Sequence, residues 1–187
     1  GTDLLLELPE GHIWLGGEES SKDGTIFNAN IPTEEVFSAP QYNGVNGIVY
    51  STKPLIYHGN TISDFSFTFE EGKIVEYTAK EGYEVLKELV ETDEGSHYLG
   101  EVALVDHFSP ISQSNQIFFE TLFDENASCH LAIGASYPTC LKDSDGLSEE
   151  ELKERGLNHS LTHVDFMIGH ERMNIKGYTR DGQEVDI

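Results

Sequence analysis

Short apolar segments that alternate with polar residues and stop at turn-forming residues are the feature that most constrains the fold of this chain. The clearest case is Phe65–Phe69, which alternates with period two, meets Glu71-Gly72, and continues into the alternating segment Lys73–Ala79. This pattern predicts a β-hairpin. Because roughly ten such strands surround only two to four helical segments, we expect an α+β fold: a strand-rich mixed sheet or partly closed barrel with a few helices.

Helical spacing is confined to a few segments. Tyr83, Leu86, Leu89 and Val90 recur at helical intervals, which predicts a helix over Lys80–Thr92. Further helices are expected at the segments Gln116–Phe123 and Ser148–Arg155, the latter with a capping box from Ser148 to Glu151. Strands are expected at His12–Leu15, Gly47–Thr52 and Gly100–Val105, and a hairpin around Asp181-Gly182.

The strong negative charge excludes several classes of partner. Lys and Arg number 11 against 34 Asp and Glu, so the net charge is -23. Nucleic acids and anionic membrane surfaces both require basic patches that this composition cannot supply. The 37% of hydrophobic residues is too high for a disordered acidic chain. Cys129 and Cys140 do not make a disulfide framework, which favours free thiols and a cytoplasmic location.

One domain accounts for the whole sequence. Its 187 residues suffice for one sizeable core, and they contain no internal repeat. The sequence starts without Met and stops within the strand-like segment Glu184–Ile187. We therefore expect residues 1–187 to be a single domain cut from a longer protein.

Several carboxylates lie among apolar residues, where a charge is costly unless it is paired or bound to a metal. Glu101 opens the otherwise apolar run Gly-Glu-Val-Ala-Leu-Val, and Asp165 lies within His-Val-Asp-Phe-Met-Ile. Glu125 follows an aromatic segment, and Glu34-Glu35 precedes Val36-Phe37. The pattern of the residues alone does not choose between Glu34 and Glu35.

Two histidines extend this set. His163 and Asp165 are two residues apart, so on a strand both would address the same cation. His130 follows Glu125 by five residues, across an expected helix end. Four carboxylates would balance two divalent ions, and imidazole with carboxylate suits Zn, Co or Mn better than Mg or Ca.

Two functions other than a centre with two metal ions also fit parts of this pattern. A non-catalytic acidic metal-binding or structural domain would need a single cation, and most of its acids would form a solvated face. A glycosidase would use paired carboxylates, but it would also need clustered tryptophans, and the chain has only Trp14. The number of bound ions and the release of an amine from an amino-acid amide separate these functions.

The order of four motifs carries a family resemblance. The segments are, in chain order, Asn30-Ile31-Pro32-Thr33-Glu34-Glu35-Val36-Phe37, Leu99-Gly100-Glu101-Val102-Ala103-Leu104-Val105, Thr121-Leu122-Phe123-Asp124-Glu125-Asn126-Ala127-Ser128-Cys129-His130 and His163-Val164-Asp165-Phe166-Met167-Ile168-Gly169. With them the chain resembles, over essentially its whole length, the catalytic half of the thermophilic aminopeptidase family, of the aminopeptidase T, aminopeptidase S and PepS type.

The resemblance implies a metal-dependent aminopeptidase with two divalent ions (Zn, Co, Mn or Mg). It also implies that residues 1–187 are a single metal-binding catalytic domain, a C-terminal fragment of a longer two-domain protein. The implied metal ligands are Glu35, Glu101, Glu125, His130, His163 and Asp165. A metal-bound hydroxide would attack peptides that carry a free N-terminus. Glu101 would either bridge the ions or handle the water proton, and Tyr137 would donate to the oxyanion, unless it only packs before Pro138.

The resemblance also implies a homodimer. Because the net charge of -23 opposes association, a dimer would need an apolar patch. The aromatic segments Phe65–Phe69 and Ile117–Phe123 are the candidates, and each could instead be core.

Overall fold

Within the described residues, the strands form two four-stranded sheets and three small hairpins. The computed structural model describes residues 1–28 and 33–187, so Asn30, Ile31 and Pro32 of the first motif lie outside the described residues. The strands are β1 (Asp3–Leu6), β2 (Glu19–Ser20), β3 (Ile26–Phe27), β4 (Glu35–Ser38), β5 (Val45–Tyr50), β6 (Leu55–Tyr57), β7 (Asn60–Ile62), β8 (Ser66–Glu70), β9 (Lys73–Thr78), β10 (Leu99–Val105), β11 (His130–Gly134), β12 (His163–Met167), β13 (Lys176–Tyr178) and β14 (Glu184–Asp186).

The helices are short and connect the sheets. The α-helices are α1 (Tyr83–Val90), α2 (Pro110–Ser114), α3 (Thr121–Asp124) and α4 (Glu149–Glu154), and the 3₁₀ helices are Gly95–His97, Glu125–Ala127 and Pro138–Cys140. None of the helices in the described part of the chain has the length and apolar character needed to cross a bilayer.

The first sheet has the order β1-β5-β8-β9 and the second β12-β11-β10-β4, and all the strand pairs described in them are antiparallel. The α+β, strand-rich expectation is confirmed. Within the described residues, neither sheet closes into a barrel.

The two sheets share one hydrophobic core. Phe67 of β8 contacts Phe166 of β12 with 5.2 Å between ring centroids, so the sheets pack face to face. Leu86, Leu89 and Val90 of α1 are fully buried in the same core, at the spacing that predicted this helix. The opposite face of the second sheet is therefore free to carry polar side chains.

Most elements lie where the sequence predicted them. The hairpin of β8 and β9 is confirmed, and Glu71 and Gly72 both have positive φ, as a two-residue turn requires. The hairpin of β13 and β14 is also confirmed. The capping box of Ser148 and Glu151 opens α4 as expected.

Three predicted elements are shorter than expected. Helix α1 begins at Tyr83 because Gly82 has a φ of 75°, which no α-helical residue adopts. The helix predicted over Gln116–Phe123 is wrong for its first half, since Phe119 has a positive φ and only Thr121–Asp124 is helical. The predicted strand His12–Leu15 reduces to single bridges at its two ends.

Candidate metal centre

Register places acidic and imidazole side chains on one face of the second sheet. Ala132 of β11 lies between Glu101 of β10 and Asp165 of β12, and pairs with both. His163 pairs with Gly134, two residues further along β11. Because side chains two residues apart share a face, the charged groups converge over residues that have little or no side chain.

A β-bulge brings Glu101 to that face. The register of β10 against β11 shifts between Leu99, which pairs with Ile133, and Glu101, which pairs with Ala132. The extra residue is Gly100, and a Cβ at this position would lie 2.2 Å from the carbonyl oxygen of Ala135. Only glycine allows the backbones to approach this closely, so Gly100 makes the bulge possible.

Both histidines present the same nitrogen to the centre. Nδ1 of His130 lies 3.0 Å from the carbonyl oxygen of Ser128, and Nδ1 of His163 lies 2.7 Å from that of Ala135. A backbone carbonyl accepts a hydrogen bond, so each Nδ1 carries the proton and each Nε2 offers a lone pair. This arrangement is typical of histidines that bind metal ions.

Glu101 lies between the two imidazoles. Its Oε1 is 3.4 Å from Nε2 of His130, and its Oε2 is 3.7 Å from Nε2 of His163. Asp165 lies beside the second imidazole, with its Oδ1 3.5 Å from Nε2 of His163. One carboxylate thus faces two separate imidazole ligands.

Glu35 and Glu125 approach the same cluster from outside the central strands. Oε2 of Glu35, at the start of β4, lies 2.9 Å from Nε2 of His130. Glu125 lies in a 3₁₀ helix and is buried. The residues form three sets, and within each set the donor atoms lie within 4.8 Å of one another. The sets are Glu35, Glu101 and His130; Glu101, His163 and Asp165; Glu125, His130 and Asp165.

The donor set fits divalent cations. Oε2 of Glu35, Nε2 of His130 and Oδ1 of Asp165 are buried and make no aligned hydrogen bond within the described structure. Buried polar atoms are almost always hydrogen-bonded, and such exceptions need an explanation. A cation held by these oxygen and nitrogen atoms supplies one.

Crowding of the carboxylates shifts their pKa values. Burial, followed by the charges of Asp165 and Glu35, raises the pKa of Glu125 to about 9, and burial also raises the pKa of Glu101. Burial alone would lower the pKa of His163, but Asp165 and Glu101 raise it to about 9. Without cations, protons reduce the repulsion in this cluster, and bound cations would replace them.

Tyr137 lies beside the cluster and is half exposed. Its ring centroid is 4.8 Å from that of His163 and 6.2 Å from that of Phe37. Burial and the nearby carboxylates, Glu101 first among them, raise its pKa to about 12. The hydroxyl therefore keeps its proton at neutral pH and can act as a hydrogen-bond donor.

A large cavity opens onto the cluster. Its volume is about 1140 Å³, and Tyr137 is part of its lining together with Glu35, Glu101, Glu125, His163 and Asp165. The outer wall includes the acidic residues Glu18, Glu19 and Glu120 and the apolar residues Ile56, Tyr57, Phe119 and Leu122. Among the described residues that line it there is no Lys, Arg or Trp, so Trp14 does not form the sugar platform that a glycosidase needs.

The structure brings all six candidate ligands together; their role as ligands stays a prediction. It also separates Glu34 from Glu35: the Glu35 carboxylate is at the cluster, whereas the Glu34 amide bonds to Asn126.

Sequence reasoning missed Asn126 and the carbonyls of Ser128 and Ala135. No signal could reveal the carbonyls because every residue has one, but a polar Asn126 next to Glu125 was visible.

Comparison with known proteins assigns the family. The model of the thermophilic metalloprotease (M29) family matches residues 1–187. Aminopeptidase AmpS of Bacillus subtilis (strain 168) is 58% identical over 187 residues, 100% of this chain and 46% of that protein. Aminopeptidase 2 of Geobacillus stearothermophilus is 55% identical over 100% of this chain and 45% of that protein.

A solved structure is similar over the same range. Wild-type AmpT from Thermus thermophilus superposes with a TM-score of 0.94 at 45% identity, covering 100% of this chain and 46% of that one. The chain thus spans about half the length of the curated relatives it matches. Because the family model and these relatives cover every residue, the chain belongs to the thermophilic metalloprotease (M29) family.

Proposed function

We propose that this chain is the catalytic metal-binding domain of an aminopeptidase. The enzyme would use two divalent ions to remove N-terminal residues from peptides. The observation that carries the proposal is the position of Glu101, with one carboxylate oxygen toward each of two histidines, at the floor of a large cavity. The aminopeptidase names of the relatives support it. We further propose that the domain works within a longer two-domain protein, in line with the length of those relatives.

The six clustered residues would hold the ions. Glu101, His130 and Asp165 each belong to two of the three donor sets. Because the two oxygens of Glu101 face different histidines, Glu101 would be the residue shared between ions. Zn, Co, Mn and Mg all accept oxygen donors, and the imidazoles favour the first three. When bound, two ions lower the pKa of a water nucleophile and polarise the carbonyl of the scissile bond.

The residues around the ions would move the proton and stabilise charge. Glu101 has one of two roles: if it is not shared between the ions, it would accept the proton of the attacking water and return it to the departing amine. Tyr137 donates its hydroxyl proton in a hydrogen bond to the oxygen on which negative charge develops. Both roles need a protonated tyrosine and an ionised Glu101 at the start of the cycle.

The cavity would bind the free amino end of a peptide. Two divalent ions balance four carboxylates of the cluster, which leaves the acidic wall residues Glu18, Glu19 and Glu120 without compensation among the described lining residues. Such a wall attracts the ammonium group of a peptide substrate. A blocked N-terminus lacks that charge and would bind poorly.

We also propose a homodimer. Of the two candidate patches, Phe65, Phe67 and Phe69 are about 1% exposed and belong to the core. In the segment 117–123, by contrast, Phe119 is 69% and Leu122 52% exposed. This exposed segment is the better interface, and sedimentation at low and high salt tests it: dimers should strengthen with salt, because screening reduces repulsion.

Two free cysteines agree with the proposed cytoplasmic location. Labelling Cys129, which is partly exposed, with a thiol reagent in freshly lysed cells tests this point. A modified thiol is the expected result, and an oxidised one would contradict it.

The decisive experiment measures ions and activity together. The metal-loaded chain is incubated with amino-acid p-nitroanilides, with their N-acetylated forms as the control. We expect two ions per chain and hydrolysis of the free-amine substrates only. One ion without hydrolysis would favour a structural metal-binding domain, and hydrolysis of both substrate forms would contradict recognition of the amino end.

A further inference from the structure

Asn126 is a polar residue with no exposed surface, placed directly after the candidate ligand Glu125. Its Oδ1 accepts a hydrogen bond from the backbone N–H of Glu34 at 2.8 Å, and its Nδ2 donates to the carbonyl of Leu122 at 3.1 Å. A buried amide is costly unless it is hydrogen-bonded, and these two bonds satisfy it. The bond with the Glu34 amide also joins segments that are 92 residues apart in the chain.

Each joined segment carries one candidate ligand. Glu34 precedes Glu35, and Asn126 follows Glu125, so the hydrogen bond lies one residue from both ligands. Strand β4 is held in the second sheet by its ladder with β10. Within the described residues, the 3₁₀ helix Glu125–Ala127 pairs with no strand, and the Asn126 side chain links it directly to the residue that precedes β4.

We propose that Asn126 is a positioning residue of the metal centre, which sets the separation of the Glu35 and Glu125 carboxylates through its bond to the Glu34 amide. The inference rests on the proposed function, since it presupposes cations at the cluster. Metal affinity depends on ligand separations held within fractions of an ångström. Replacing a residue that orients a metal ligand through a hydrogen bond typically weakens metal affinity about 10–100-fold.

The test titrates the whole 187-residue chain with Co²⁺ in the absence of substrate, following the visible absorption of the ion and the heat of binding. Asn126→Ala removes both hydrogen bonds, and Asn126→Ser keeps a polar group that is too short to span the gap. We expect both variants to bind at least one ion about 10–100-fold more weakly, with an altered Co²⁺ spectrum.

Ser96→Ala is the matched control. Ser96 is also fully buried, donates to the carbonyl of Val90 at 2.7 Å and accepts from the N–H of Asp93 at 3.0 Å. None of these partners adjoins a candidate ligand in sequence. This variant should unfold at a lower denaturant concentration yet keep the Co²⁺ affinity and spectrum of the unmodified chain.

A second comparison separates positioning from general loosening. In a Glu125→Gln background the carboxylate that Asn126 positions is absent, so adding Asn126→Ala should weaken the remaining Co²⁺ binding much less than it does in the unmodified chain. Equal losses in both backgrounds would contradict the proposed role.

The outcomes distinguish this inference from the proposed function. If the unmodified chain binds Co²⁺ and both Asn126 variants match its affinity and spectrum, the inference fails and the function stands. If the unmodified chain binds no Co²⁺, both fail. If neither variant folds even with saturating Co²⁺, Asn126 is a requirement of the fold, which also overturns the inference.

Discussion

Leu99 and Glu101 are two residues apart in one strand, yet they lie on opposite faces of the second sheet. Leu99 packs in the hydrophobic core, and Glu101 pairs with Ala132 among the candidate ligands. A regular strand would place both on the same face. The bulge at Gly100 reverses this relation, so one glycine decides whether Glu101 meets the histidines or the core.

Replacing Gly100 by alanine should therefore disturb both stability and metal binding. The new Cβ would lie 2.2 Å from the Ala135 carbonyl oxygen, and relieving this overlap should lower the free energy of unfolding by about 1–3 kcal/mol. Urea unfolding and metal analysis measure the two effects. Gly24→Ala is the control: its φ of 84° costs about 1 kcal/mol in open space, and metal content should not change.

Neutralising Glu101 should remove metal without unfolding the protein. Glu101→Gln keeps the shape of the side chain but loses a charged ligand that belongs to two donor sets. The metal-free variant should be at least as stable as the parent, because one of four crowded carboxylates loses its charge. Elemental analysis should find at least one ion fewer per chain. Glu149→Gln, whose side chain is 69% exposed, should keep the full metal content; equal metal in both variants would refute the assignment.

Chelation should destabilise the metal-loaded protein. Removing the ions leaves Glu35, Glu101, Glu125 and Asp165 close together, where bound protons offset only part of the repulsion. For a free ion concentration near 100 Kd, we expect a Tm about 5–10 °C lower after a strong chelator. Differential scanning calorimetry measures the shift. Glu101→Gln, with fewer ions to lose, should respond less, and an unchanged Tm in the parent would count against the centre.

Asp93 should make stability depend on pH at the acidic end. Burial would raise the pKa of Asp93, but hydrogen bonds from the Leu161 amide, the Ser160 hydroxyl and the Ser96 amide lower it. The group is charged in the fold at a pH where it is protonated in the unfolded chain. Its contribution is therefore complete above the unfolded pKa of about 3.9 and is lost as pH falls toward the lower folded value.

The measurement compares Asp93→Asn with the parent by urea unfolding of the metal-free proteins. An amide cannot accept all of these bonds, so the variant should be about 1–3 kcal/mol less stable at pH 7. This difference should shrink as pH falls below about 3.9. A difference that is constant with pH would contradict the role of the charge.

Relieving the backbone at Phe119 should stabilise the protein. Phe119 has a φ of 61° and is 69% exposed, so its ring contributes little burial to offset a left-handed backbone. Phe119→Gly should raise the free energy of unfolding by about 1 kcal/mol. Phe119→Ala, which removes the ring but keeps the strained φ, should change it little. Equal stability of the two variants in urea would show that the backbone is not strained.

Local patterns predicted the elements whose conformation depends on near neighbours. The hairpin of β8 and β9, helix α1 and the capping box of Ser148 all follow from periodicity, turn residues and capping. The pattern failed at residues 116–120, where the buried carboxylate of Asp124 accepts bonds from the amides of Phe118 and Glu120 and holds a loop instead of a helix. Such a bond depends on burial, which apolar periodicity alone does not reveal.

The sequence by itself determined which residues could form the centre, because carboxylates and imidazoles within apolar segments need counter-charges wherever they are buried. It also placed His163 and Asp165 on one face, since strand alternation is a local property. The tertiary structure decided the rest: the bulge at Gly100, the choice of Glu35 over Glu34, and the bond from the Glu34 amide to Asn126 that links two ligand segments. These features depend on strand register and on contacts between distant segments, and no local pattern encodes either.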